Sequence, residues 1–216
     1  MKNIAVVLSG CGFKDGAEIT ESVSTLIAIS ATGAQFKVFA PNKNIEATNH
    51  LTGQPDGLRN ILVEAARIAR SQIQPLEDLK VDHFDALVFP GGFGAAMYLC
   101  DWAEKGAQCT VDTQVESLIR KFHESSKPIG AFCIAPVLLA KVLGTFEVTL
   151  TVGDDKETIS EIEKTGAHHE VCKVNDFITD RANKVVTSPA YMYDNAQPHL
   201  VFQGVQAAIN ELVEMA

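Results

Sequence analysis

The segment Gly130–Pro136, which reads GAFCIAP, decides the fold class and points to a reactive centre. The apolar run Pro128–Phe132 leads into it, and a second apolar run, Ile134–Leu143, follows. This layout predicts a strand, a sharp turn and a helix, with Cys133 at the corner. A nucleophile at such a corner projects away from the sheet. The pattern is similar to the G-x-S-x-G elbow, with cysteine for serine and alanine for both glycines.

Two interpretations of Cys133 stay open on this segment alone. The start of the following helix offers unpaired backbone N–H groups and the positive end of a dipole, which favour a reactive thiolate over a thiol. Alternatively, Cys133 is a buried residue that fills space between the strand and the helix, as free cysteines often do.

The composition predicts one globular domain spanning residues 1–216. Hydrophobic residues make up 46% of the chain and charged residues 21%, so a sizeable core can form. The net charge of -9 argues against a nucleic-acid partner, which needs a basic face. The apolar stretches are too short for a signal segment or a membrane span. We therefore expect no membrane partner and a cytoplasmic protein, or an organellar one whose leader has been removed.

The cysteines do not form a metal or disulfide pattern. Their number is odd, and no two of them are spaced as C-x-x-C: Cys11, Cys100, Cys109, Cys133 and Cys172. We expect reduced thiols, no metal site and no cofactor.

Strands and helices alternate along the chain. Continuous apolar runs such as 4–8, 36–40 and 84–89 predict strands that are buried on both faces of a parallel sheet. Helical spacing predicts the buried face of the first helix: Ile19, Val23, Leu26, Ile27 and Ser30. A hairpin is expected around residues 177–187, and residues 41–57 show no clear periodicity. The predicted class is α/β, an open and mostly parallel sheet with helices on both faces.

Three loops of small residues meet at the carboxyl edge of this sheet, where functional loops of such folds lie. They follow Leu8 and Phe89 and contain Cys133. The Gly91-Gly92 turn can direct N–H groups at a bound oxygen without a side chain in the way. We expect the N–H groups of Gly92 and Ile134 to form an oxyanion site.

Glu18 and Cys11 belong to the first of these loops. Glu18 either caps its helix in solvent or points across the crevice at Cys133, where shielding from water would raise its pKa and let it move a proton. Cys11 either approaches Cys133 as a resolving thiol or is a small residue that packs the loop.

Segments spread through nearly the whole chain resemble the PfpI superfamily, which contains the parkinsonism-associated deglycase. Within it, the chain is most similar to the ElbB type, an isoprenoid-biosynthesis-associated branch with an amidotransferase-like domain. The segments are Leu8–Gly12, Asp15–Gly16, Glu18, Asn49–Gly53, Pro90–Ala96, Cys109–Asp112, Cys133–Pro136 and Thr187–Met192. The resemblance implies a flavodoxin-like core similar to that of class I glutamine amidotransferases.

The resemblance implies Cys133 as nucleophile, Glu18 as its acid/base partner and His50 as a pocket residue. It also implies a glyoxalase that needs no glutathione and converts glyoxal or methylglyoxal to glycolate or lactate through a hemithioacetal. The same chemistry could be scored as deglycase activity. The family commonly forms dimers, so a homodimer is expected.

The chain departs from its relatives after the nucleophile. PfpI proteases place a histidine directly after the cysteine, where this chain has Ile134, and amidotransferases place His-x-Glu late in the chain, whereas Leu200 and Val201 follow His199. We therefore predict a Cys–Glu dyad. The alternative function is a redox-sensing or regulatory binding protein, linked to isoprenoid biosynthesis, whose Cys133 oxidises to a sulfinic acid.

Overall fold

A seven-stranded sheet forms the centre of the computed structural model, which describes all residues from 1 to 216. Its strands are β1 (Asn3–Val7), β2 (Gln35–Ala40), β5 (Ile73–Pro75), β6 (Ala86–Phe89), β7 (Ile129–Phe132), β10 (Ile178–Asp180) and β11 (Val185–Ser188). Two small sheets pair β3 (Asn44–Thr48) with β4 (Pro55–Asn60) and β8 (Thr149–Leu150) with β9 (His168–His169).

The chain forms eight α-helices. They are α1 (Ile19–Ala31), α2 (Ile61–Ile68), α3 (Phe93–Tyr98), α4 (Trp102–Lys105), α5 (Thr113–Glu124), α6 (Pro136–Leu143), α7 (Lys156–Glu163) and α8 (Pro198–Met215). None of them combines the length and apolarity that crossing a bilayer requires.

The strand order of the central sheet is β10-β11-β7-β6-β1-β2-β5, and all neighbours run parallel except β10 and β11. The single-domain, mostly parallel α/β fold predicted from the sequence is confirmed. The chain leaves β1 toward β2 on one side, whereas β6 lies on its other side. The loops after β1 and β6 therefore diverge and open a crevice at the carboxyl edge.

The continuous apolar runs arise because the sheet is covered on both faces. Along β1, Ala5 and Val7 join a core of 34 buried residues that includes α5 and α6. The alternate residues Ile4 and Val6 join a second core of 23 buried residues that includes α1 and α8. A strand between two cores has no polar face, so it loses the alternation that half-exposed strands show.

Helix α1 presents the opposite face from the one that the sequence predicts. Ile19, Val23 and Ile27 are 48%, 39% and 51% exposed. The buried face instead carries mainly small and polar residues: Glu21, Ser22, Ser24, Thr25, Ala28 and Ile29. Two of its hydroxyls donate to carbonyls of the preceding turn, so their burial leaves no unpaired donor. The prediction from apolar spacing is wrong for this helix, and its rotation decides which carboxylate enters the crevice.

Two segments differ in detail from the sequence-based expectation. Residues 41–57 lack periodicity because they contain most of a two-stranded hairpin, β3–β4, whose register shifts between Glu46 and Thr48. The apolar residues at 146–151, which suggest a strand in the sequence, form only the two-residue β8. The hairpin expected near 177–187 is present as β10–β11.

Candidate active site

Cys133 lies at the corner between β7 and α6, in a backbone conformation that is rare for residues with a side chain. Its φ is +57°, in the left-handed region. The Cys133 N–H donates to Ser188 O on β11 at 3.0 Å, and the Ala135 N–H donates back to Phe132 O at 2.9 Å. For a non-glycine residue this conformation raises the free energy of the folded state by on the order of 1–2 kcal/mol, which contacts elsewhere in the fold must offset. This geometry is that of a nucleophile elbow.

The carboxyl group that meets the Cys133 thiol belongs to Glu21 in the first turn of α1. Glu21 is fully buried. Its Oε2 accepts from the Gly91 N–H at 2.9 Å, and its Oε1 accepts from the Tyr191 N–H at 3.2 Å. The carboxyl lies beside Cys133, because a β-carbon on Gly91 would come within 2.6 Å of both Cys133 Cβ and Glu21 Oε2. Loops after three strands thus hold one carboxyl group against one sulfur.

Burial raises the pKa of Glu21 to about 8, and the nearby charge of Glu18 adds to the increase. Hydrogen bonds from the Tyr191 N–H, the Cys133 thiol and the Gly91 N–H oppose it without cancelling it. Near neutral pH the carboxyl group is therefore mostly protonated. It can donate one proton while its second oxygen accepts another, which is what a proton shuttle requires.

The sulfur of Cys133 receives hydrogen bonds from the backbone N–H groups of Gly92 and Ile134. These contacts lower the pKa of Cys133, but burial, followed by the charge of Glu21, raises it well above its ordinary value. The thiolate expected from the helix terminus is not the resting form, because α6 begins with Pro136, which has no N–H to offer, and Cys133 is only 8% exposed. The resting pair is a thiol and a carboxylic acid.

Glu18 is placed differently from the expectation that it faces the thiol. It is the N-cap of α1, where its Oε2 accepts from the Glu21 N–H at 2.7 Å. Burial raises its pKa, and it lines the same pocket as Cys133. Because the cap residue precedes the first helical turn, it lies at the pocket wall, whereas Glu21, three residues later, points at the sulfur.

The two glycines after β6 have different parts in the site. A β-carbon on Gly91 would collide with Cβ of Cys133 and Oε2 of Glu21, so only glycine lets these groups meet. Gly92 has a φ of +96° and turns its N–H toward the sulfur. Gly92 and Ile134 both line the pocket, whereas Gly91 lies behind it as a donor to Glu21.

Cys133 opens into a cavity of about 840 Å³. The lining residues come from the three predicted loops, from α7 and from the turn after β11: Phe13, Glu18, Gly92, Phe93, Cys133, Ile134, Asp155, Glu157, Thr158, Tyr191, Met192 and Asp194. No histidine is among them. The geometry is therefore that of a thiol and a carboxylic acid without the third member of a triad.

Cys11, for which an approach to Cys133 was one of two interpretations, and His50, which the resemblance placed in the pocket, both lie outside it. Cys11 borders a separate small cavity with Asp15, Arg59 and Glu64, beneath the β3–β4 hairpin. Burial raises the pKa of its thiol. His50 has one ring nitrogen 3.0 Å from Thr48 O, and its ring forms a T-shaped contact with the ring of Phe13, with centroids 5.6 Å apart. His50 belongs to the turn of this hairpin and contacts the pocket indirectly, through Phe13.

Sequence reasoning missed Glu21 and the wall that α7 provides. The signal for Glu21 was the helical spacing of the small residues Ser22, Thr25 and Ala28, which marks the packed face of α1 better than most of its large apolar residues do. Asp155, Glu157 and Thr158 had no local signal, because they reach the pocket through the insertion between β8 and β9.

The DJ-1/PfpI family model matches residues 11–193. The human protein "glutamine amidotransferase-like class 1 domain-containing protein 3, mitochondrial" is 42% identical, over 98% of this chain and 82% of that protein. The zebrafish (Danio rerio) "ES1 protein, mitochondrial" is 32% identical, over 99% and 86%. A solved structure from Ehrlichia chaffeensis, named an isoprenoid biosynthesis protein with amidotransferase-like domain, has 35% identity and a TM-score of 0.93, covering 100% and 99% of the two chains.

These relatives correct one expectation. The human and zebrafish proteins are mitochondrial by name, so the prediction of a cytoplasmic protein is wrong. The prediction rested on the lack of a recognisable targeting segment, which does not exclude an organelle.

Proposed function

The chain belongs to the DJ-1/PfpI family, and we propose that it is a glyoxalase that needs neither glutathione nor another cofactor. Its substrate would be glyoxal or methylglyoxal and its product glycolate or lactate, and removal of early glycation adducts is the same chemistry on a larger substrate. The family includes enzymes, among them peptidases and deglycases. The observation that carries the proposal is the contact between the Cys133 thiol and the protonated carboxyl of Glu21 at the base of an open pocket.

The first step forms a hemithioacetal. The sulfur of Cys133 bonds to one aldehyde carbon of glyoxal, and the carbonyl π bond breaks. The Glu21 carboxyl gives its proton to the new oxygen and takes the thiol proton on its other oxygen, so it ends the step protonated. The Gly92 and Ile134 N–H groups, which meet at the sulfur, are positioned to stabilise charge that develops on the aldehyde oxygen.

The second step moves hydrogen between the two carbons. Glu21 accepts the proton of the carbon that carries sulfur and donates its own to the second carbonyl oxygen, which gives an enediol. The reverse exchange puts a proton on the second carbon and removes one from the hydroxyl of the first, which gives the thioester of glycolate. The first carbon is oxidised and the second reduced, so no external oxidant is needed. Water then cleaves the thioester, releasing glycolate and the Cys133 thiol.

The absence of a pocket histidine supports this chemistry over proteolysis and amidotransfer. Peptide and amide cleavage need a strong proton donor for the leaving nitrogen, which a histidine next to cysteine ordinarily supplies. Ile134 fills that position here. An aldehyde has no leaving group at the addition step, so one carboxylic acid is sufficient for it.

The direct test is glycolate formation by purified protein from glyoxal in buffer without added thiol. We expect stoichiometric conversion of glyoxal to glycolate, followed by NMR. A protein that yields no glycolate above the buffer rate would refute the proposal. If dilute peroxide then converted Cys133 alone to a sulfinic acid, seen by mass spectrometry, the redox-sensing alternative would be supported, since a protonated Glu21 can donate a hydrogen bond to a sulfinate.

We also propose that the chain is a homodimer. Helix α1 exposes Ile19, Val23 and Ile27 at i, i+4 and i+8, which forms an apolar stripe on one side of the helix. A second copy would cover this stripe. Light scattering should give twice the chain mass of 23.3 kDa, and Val23→Glu should shift the mass toward that of the monomer. A wild-type mass of one chain would contradict the proposal.

A further inference from the structure

The pocket around Cys133 is much larger than glyoxal. Its volume is about 840 Å³, and a second groove of about 530 Å³ continues from it. The two share Phe93, Ile134, Glu157 and Thr158 as lining residues. Typical cavities for drug-sized ligands have volumes of roughly 300–1,000 Å³. The site therefore has room for a substrate whose carbonyl group is one end of a longer molecule.

The charged side chains that line the pocket are all acidic. They are Glu18 at the base of α1, Asp155 and Glu157 at the start of α7, and Asp194 after β11. No lysine, arginine or histidine lines the pocket. Asp155, Glu157 and Asp194 are exposed, and none of the three forms an ion pair. Their charge is therefore available to a ligand at the mouth.

Three aromatic side chains share the pocket with these carboxylates. Phe13, Phe93 and Tyr191 line the same pocket. Aromatic rings attract cations through their negative faces, and carboxylates attract them by charge, so the two types of group favour the same ligand. The one basic residue that lines the neighbouring groove, Lys105, is paired with Asp101.

From this lining we propose that the site selects carbonyl compounds that carry a positive charge, such as a protonated amine or a guanidinium group, and disfavours carboxylated and phosphorylated ones. The inference rests on the proposed function in taking Cys133 as the reacting group. Asp155, Glu157 and Asp194 are the specificity-determining residues: they hold the charged end of the substrate while its carbonyl group reaches the thiol. Clefts lined by charge of one sign raise the local concentration of oppositely charged ligands about tenfold or more.

Thiol-directed reagents of matched size test charge selection without requiring turnover. Methanethiosulfonates transfer an S–R group to a cysteine sulfur, which forms a disulfide and releases methanesulfinate. Reagents whose R group ends in trimethylammonium, sulfonate or an uncharged methyl would be compared on the whole protein, and modification of Cys133 would be followed by peptide mass spectrometry. We expect the cationic-to-anionic rate ratio at Cys133 to exceed the ratio for a small neutral thiol by about tenfold.

Two triple variants with the same change in net charge distinguish the effect of the pocket carboxylates from the effect of the protein's overall charge. The triple variant Asp155→Asn, Glu157→Gln, Asp194→Asn should bring the ratio close to that of the small thiol, and asparagine keeps the α7 cap that Asp155 provides. A matched triple variant, Glu77→Gln, Asp78→Asn, Asp82→Asn, changes the net charge equally at exposed sites between β5 and β6 that line neither the pocket nor the groove. It should keep the wild-type ratio.

Added salt gives a second measurement. Raising ionic strength from 0.1 to 1 M shortens the screening length from about 10 to about 3 Å, so the ratio should fall in the wild type. Three outcomes would overturn the inference. The rate ratio at Cys133 could equal that of the small thiol, the ratio could fall equally in both triple variants, or even the uncharged reagent could fail to modify Cys133. If the rate ratio at Cys133 equals that of the small thiol but the protein still converts glyoxal, only the charge-selection inference fails and the proposed function does not. A failure of the inference can therefore be distinguished from a failure of the proposed function.

Discussion

Cys133→Ser is expected to lower kcat/KM for glyoxal at least about a thousandfold, because the proposed hemithioacetal cannot form without the sulfur. A serine hydroxyl is a far weaker nucleophile, and the carboxylic acid of Glu21 is too weak a base to activate it. The substitution removes little volume, so the elbow and its hydrogen bond to Ser188 should persist. Rates would be measured as glycolate formed per active chain, with thermal unfolding as the check on folding.

Cys11→Ser is the matched control for this experiment. Cys11 is also a free cysteine in a loop at the carboxyl edge of the sheet, but it borders a different cavity. Its substitution should leave kcat/KM near the wild-type value. Equal rates for wild type and Cys133→Ser would remove the covalent mechanism, and a large loss in Cys11→Ser would show that a second thiol takes part.

Glu21→Gln should lower kcat/KM by about 10²- to 10⁴-fold, because the amide cannot exchange protons with the substrate. Glu18→Gln should cost far less, since glutamine can still accept the N–H bond that caps α1. This pair distinguishes the carboxyl that touches sulfur from the one at the pocket wall. A greater loss in Glu18→Gln than in Glu21→Gln would return the proton-transfer role to Glu18.

The same substitution should change how stability depends on pH. The folded protein holds the Glu21 proton up to about pH 8, whereas the unfolded chain releases it near the ordinary value of 4.5. The folded state thus binds more protons in this window, so this contribution to stability is full below about pH 4.5 and is lost as pH rises toward 8. The loss amounts to roughly 4 kcal/mol in the free energy of unfolding.

Urea unfolding of wild type and Glu21→Gln at pH 5 and pH 8 isolates this contribution, because the other titrating groups are common to both proteins. The stability of the wild type relative to the variant should fall from pH 5 to pH 8. A difference that stays constant over this range would show that Glu21 ionises normally in the folded protein, and it would remove the protonated carboxyl from the mechanism.

Local patterns in the sequence determined the fold class, the elbow and the glycine turn. Apolar runs identify strands that are buried on both faces, and the segment Gly130–Pro136 contains the strand end, the corner and the helix start within a few residues. The position of Cys133 at the carboxyl edge of a parallel sheet follows from such local information. So does the proximity of the loop at Gly91 and Gly92.

Only the tertiary structure decided which carboxyl group meets the thiol and how both are protonated. The rotation of α1 is set by its packing on the sheet and on α8 and by the N–H groups of Gly91 and Tyr191, which lie far from Glu21 in the sequence. Glu18 and Glu21 are three residues apart and lie on neighbouring positions of α1, so its packing decides which of them reaches the sulfur, and apolar spacing favoured the wrong face. Protonation depends on burial, which is a property of the assembled site, because the cost of charge is set by the groups that exclude water from it.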